Sequence, residues 1–110
     1  MIGSAHFRFL NLTEKYAEEL EATIPIAEIE THHKTGKYVG SIELLDTSVV
    51  VAIDEFRKKK SIAIIDCDVF VSIASRKCDE FWRAPKTVNY IVNIINCPIV
   101  FSYTSCSRPK

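Results

Sequence analysis

From Tyr38 onward the apolar residues switch repeatedly between a period of two and a period of 3.6, and that alternation leaves few ways to close a core. YVGSIELLD (38–46) has the pattern of a strand. In SVVVAIDEFRKKK (48–60) the spacing of Val49, Ile53 and Phe56 predicts a helix with one apolar face, opened by a cap from Asp46, Thr47 or Ser48. SIAIIDC (61–67) and DVFVSIAS (68–75) follow as two neighbouring strands, KTVNYIVNIIN (86–96) as a helix opened just after Pro85 by Thr87, and CPIVFSYTSC (97–106) as a last extended piece. Strand, helix, strand, strand, helix, strand is the ferredoxin-like βαββαβ order of the α+β class, one antiparallel sheet with its helices on one face.

The chain ahead of Tyr38 then reads as an addition. AHFRFLN (5–11) sets Phe7 and Phe9 around Arg8 like a short strand, and Thr13 is placed to cap TEKYAEELEATI, whose Tyr16, Leu20 and Ile24 recur at helical spacing before Pro25 stops it. IAEIE and YVGSIELLD are expected to be joined by a polar turn containing Gly36. At 110 residues and 47% hydrophobic content the whole chain, 1–110, is expected to form a single domain with an ample two-layer core.

Charge narrows the function. Fourteen basic and fourteen acidic residues cancel, which argues against nucleic acid or an anionic membrane as a partner. The one basic run, Arg57-Lys58-Lys59-Lys60, falls where a helix ends and is explained by favourable charge at its C-terminus. With no apolar run approaching ~18 residues and no charged-then-apolar leader, the expectation is a cytosolic protein with neither a span nor a secretory signal.

Cys67, Cys78, Cys97 and Cys106 match no paired-cysteine zinc spacing, and in a reducing compartment each is by default a small core residue. No phosphate loop, dinucleotide fingerprint, zinc-protease helix or serine elbow is present, so no enzyme is expected. Adjacent His32 and His33 on an extended chain would face opposite ways, which suits turn polarity better than a shared metal. Asp79, Glu80, Trp82 and Arg83 suit an exposed loop anchored by one aromatic better than a pocket. One stretch stands out: IIDCDVF places a thiol between two carboxylates where one apolar run gives way to the next.

AIDEFRKKKSIAIIDCD, with Ala52, Asp54, Lys58 and the aliphatic run 62–65, resembles the helix-to-strand signature of bacterial microcompartment (BMC) shell proteins. VGSIELL with Gly40 resembles their first core strand, and FSYTSCS the ending of the circularly permuted PduU/EutS-like members, in which a closing strand and helix come first. The resemblance implies a circularly permuted BMC domain forming a homohexameric tile beside other shell proteins, in the cytoplasmic shell of a microcompartment, with Lys58 along the hexamer edge. It further implies that Asp66, Cys67 and Asp68 line the central pore. The divergence and the cysteine resemble the type found in propanediol-utilization compartments, whose pore binds an iron–sulfur cluster. Six-fold symmetry would turn Cys67 into a ring of thiols able to hold a [4Fe–4S] cluster shared between subunits, provided the subunits become locally inequivalent. Like-charge repulsion from the flanking aspartates would raise the thiol pKa and favour a bound cation. The alternative is a small ferredoxin-like regulatory or ligand-binding module without a metal, in which Asp66 and Asp68 only solvate a loop.

Overall fold

The structure, a computed structural model, describes residues 2–32, 34–75 and 82–105. Five strands form one sheet: β1 (Ile2–Leu12), β2 (Glu28–Thr31), β3 (Tyr38–Glu43), β4 (Cys67–Ser75) and β5 (Ile99–Ser105), in the order β2-β3-β1-β4-β5. The helices are α1 (Glu14–Thr23), α2 (Thr47–Lys59) and α3 (Lys86–Ile95).

β1 is central and antiparallel to both β3 and β4, and β2 is antiparallel to β3. β1 and β2 are therefore parallel with β3 between them, and β3 and β4 are parallel with β1 between them. Two interleaved split βαβ units make the ferredoxin-like βαββαβ arrangement, running from β1 to β4 over residues 2–75. The expected α+β class and βαββαβ order are present, but the sheet is mixed rather than wholly antiparallel, and the phase of the order along the chain is corrected. The first strand and helix belong to the core, and the addition is α3 with β5, which joins β4 in parallel at the other edge.

The second correction concerns 61–67. Residues 61–66 do not form a strand, and Cys67 is instead the first residue of β4. The Lys60 amide closes α2 on the carbonyls of Phe56 and Lys58, Ser61 takes a left-handed conformation (φ 53°), and the Ile62 amide returns to Arg57 O at 3.0 Å. A 3₁₀ turn over Ile64–Asp66 then delivers the chain to β4, leaving Ile65 84% exposed. Both sides of β1 are taken by β3 and β4, so this apolar run is needed as the link from helix layer to sheet. Only DVFVSIAS, extended back to Cys67, pairs as a strand.

Strand alternation sets the two faces. Ala5, Phe7 and Phe9 of β1, Ile42 of β3, and Cys67, Val69 and Val71 of β4 are buried under the helices, joined by Leu20 from α1, Val50, Ile53 and Phe56 from α2, and Ile91 and Ile95 from α3. Phe9 packs edge-on against both Phe7 (4.9 Å) and Phe56 (5.6 Å), linking sheet and helix layers. Gly40 sits opposite Phe9 and lets α1 approach, since a Cβ there would lie 2.5 Å from Leu20 Cδ2. Two capping expectations hold: Thr13 Oγ1 accepts from the Tyr16 amide, and Asp46 accepts from the Val49 amide at 3.0 Å; the third is corrected, since α3 has Pro85 at its N-cap position and no side-chain cap bond. Thr87 ties α3 to the end of β3 by donating to Leu44 O at 2.9 Å. Trp82 anchors the chain ahead of α3 by lying on Gly3, where a Cβ would meet the indole.

Candidate binding face

The three helices cover one face of the sheet, and the alternate residues of the strands line the other. On β1 these are Ser4, His6 and Arg8; register places Ser72, Phe70 and Asp68 of β4 on one side of them and Ser41 of β3 on the other, with Glu28 and Glu30 beyond on β2. All of these but Asp68, together with Val39 of β3, line a hollow of about 350 Å³. Most are hydroxyl, imidazole or charged groups, the period-two complement of a sequence whose odd positions on β1 are core.

Arg8 organises the floor. Its Nε donates to Asp68 Oδ1 at 2.7 Å and its Nη2 to Asp68 Oδ2 at 2.6 Å, a bidentate pair in which the aspartate side chain is only 6% exposed. The guanidinium also lies 4.3 Å from the Phe70 ring centroid. A buried carboxylate without this partner would be costly, so the pair fixes the rotamer of both residues. It also cancels their charges, so that among the described residues lining the hollow the remaining carboxylates are Glu28 and Glu30 on the β2 side. The fixed guanidinium and the three serine hydroxyls supply directional hydrogen bonds nearby.

The structure separates the three residues expected to line a pore. Asp66 is half-buried in the 3₁₀ turn, Cys67 is 1% exposed on the helix-side face, and Asp68 faces the open side against Arg8. The Cys67 thiol donates to Ala63 O at 3.6 Å, and burial, more than the neighbouring aspartates, pushes it up to about 12. Cys97, buried at the approach to β5, is raised for the same leading reason. At 1% exposure the Cys67 sulfur is enclosed under the helices, and this placement does not fit an iron–sulfur ligand, whose sulfur must reach the cluster. Cys78, Cys106, Asp79, Glu80 and His33 lie outside the described residues, and Arg83 is exposed. Among the described residues no three His, Cys, Asp or Glu side chains gather as a metal site, and no helix is long and apolar enough to cross a membrane.

Lys58, the expected edge residue, has a side chain 66% exposed and pairs with Asp54 at 3.0 Å, one turn back on α2. The open-face set was not singled out from sequence. Its signal was Arg8 between Phe7 and Phe9, since a cation between two core aromatics in a strand must face the opposite side. No family model matches the chain, and no curated protein or solved structure is significantly similar to it.

Proposed function

We propose that this chain is a non-catalytic, ferredoxin-like ligand-binding module whose open sheet face takes a small polar molecule carrying an amine. The observation that carries this reading is the hollow over β1, where a guanidinium is locked by Asp68 and Glu28 and Glu30 have no ion-pair partner among the described residues, beside three serine hydroxyls. An ammonium group would meet the two carboxylates, while hydroxyl or carbonyl groups of the same molecule would meet Arg8, Ser4, Ser41 or Ser72. Binding is favoured over chemistry because the two thiols among the described residues, Cys67 and Cys97, are packed in the core away from this face. Titration calorimetry with putrescine and spermidine, against succinate as an anionic control, tests the reading. Heat from the amines that is lost in Glu28→Gln/Glu30→Gln supports it; equal response to succinate, or amine binding unaffected by the double substitution, contradicts it.

A second reading is the microcompartment shell tile, built from a circularly permuted BMC domain as a homohexamer with other shell proteins. It is supported by the exposed Lys58 at the end of α2 and by the apolar exposure of β5, which an assembly would cover. This reading does not include a cluster on Cys67. Size-exclusion chromatography separates the two, since a tile elutes as a hexamer and the module as a monomer or dimer. In the tile Lys58→Ala weakens sheet formation while leaving hexamers intact.

A further inference from the structure

The two edges of the sheet differ in kind. β2 has four residues and carries Glu28 and Glu30, so copies meeting there would bring like charges together. β5 has seven residues, IVFSYTS, with no charge, and its outer side has no strand neighbour among the described residues. Ile99, Val100, Phe101 and Tyr103 are 38%, 39%, 70% and 59% exposed. An unguarded apolar edge of this length is a template for another strand.

The backbone phase says how such a strand would attach. The Val69 amide donates to Pro98 O at 2.9 Å, and β5 runs parallel to β4 with Val69 beside Ile99. In a parallel ladder this spends the peptide groups of residues 98, 100, 102 and 104 on β4, and points those of Ile99, Phe101 and Tyr103 at the free edge. The side chains of Phe101 and Tyr103 share the helix-side face, beside Val71 and Ile73.

We infer that β5 pairs antiparallel with β5 of a second copy about a two-fold axis through Ser102, joining two five-stranded sheets into one. With that axis all seven residues overlap. Phe101 and the partner's Tyr103 become a hydrogen-bonded pair that exchanges both outward peptide bonds, and it occurs twice by symmetry. Ser102 meets its own copy as a non-hydrogen-bonded pair, with Cα atoms about 4.5 Å apart. The four aromatic rings cluster across the axis on one face, and no charge is buried. Phe101 and Tyr103 expose roughly 250 Å² between them, given the ~150–250 Å² an aromatic side chain can bury. With Ile99, Val100 and the strand backbone, the two copies bury on the order of 1,000 Å², the lower bound for a specific interface, so the dimer forms reversibly with concentration.

Sedimentation velocity over a hundredfold concentration range tests the inference. The wild type is expected to shift from monomer to dimer, and Phe101→Lys and Tyr103→Pro to remain monomeric with unchanged far-UV circular dichroism, because Tyr103 gives no amide to β4. Ser102→Cys supplies a test that needs no disruption: with reductant removed and oxidised glutathione added as the two-electron oxidant, it should form a disulfide-linked dimer under conditions where wild type and Ser72→Cys do not. A wild-type protein monomeric throughout, a hexamer, or a dimer that persists in both edge variants without Ser102→Cys cross-linking overturns the inference. The amine response predicted for the open face is read separately and does not depend on this edge.

Discussion

Cys67 and Asp68 are neighbours in sequence and opposites in setting. Alternation along β4 sends the thiol under the helices and the carboxylate to Arg8. The thiol's raised pKa has a definite consequence for stability. Unfolded Cys67 ionises near 9.0 and the folded thiol near 12, so above pH 9 the unfolded chain loses a proton that the folded chain keeps. The contribution is fully present below pH 9 and is lost as pH rises toward 12. Chemical denaturation from pH 8 to 11 should show falling stability, with a shallower fall in Cys67→Ala; Cys97, also raised, accounts for part of the remaining slope. Alkylation of native Cys67 should proceed only through unfolding, and labelling at the rate of a free exposed thiol would contradict its burial. From sequence the Asp-Cys-Asp triplet was legible as unusual, but its orientation was not, because that depends on whether β4 starts before or after Cys67.

At the scale of elements, the caps and the close helix-to-sheet approach carry most of the local specificity. Asp46 accepts from Ser48 Oγ at 2.6 Å and from the Val49 amide, and these bonds hold its carboxyl below the usual aspartate value. A depressed folded pKa stabilises above the unfolded value of 3.8 and is lost as pH falls through the lower folded value. Asp46→Ala should therefore lower Tm at pH 6 and show a smaller further drop on acidification to pH 2.5 than the wild type. Gly40→Ala forces Leu20, fully buried, to move or α1 to lift, with an expected cost of about 1–3 kcal/mol by denaturant unfolding. An unchanged midpoint would mean that α1 does not rest on β3. Thr13, Asp46, Pro25 and the helical spacing of Val49, Ile53 and Phe56 made both of these helices readable in advance. The failure at 61–67 has an equally local cause, since β-branched apolar residues satisfy a strand pattern whether or not a ladder is free to receive them.

At the scale of the molecule, the βαββαβ order was legible and its starting point was not. Two strand–helix alternations run through the chain with nothing in their periodicity to say which pairs are central, and only the register of β1 between β3 and β4 decides it. Assigning the core to residues 2–75 makes β1 the middle of the sheet, and so puts His6 and Arg8 at the centre of an open face rather than on a peripheral strand. That placement is what turns a lone arginine between two phenylalanines into the floor of a hollow. Mapping amide chemical shifts of the wild-type protein during a titration with spermidine tests this account most directly. The account predicts saturable shifts at His6, Arg8, Glu28, Glu30, Ser41 and Ser72, with α1, α2 and α3 unmoved. Shifts confined to the helices, or none up to millimolar amine, would contradict it.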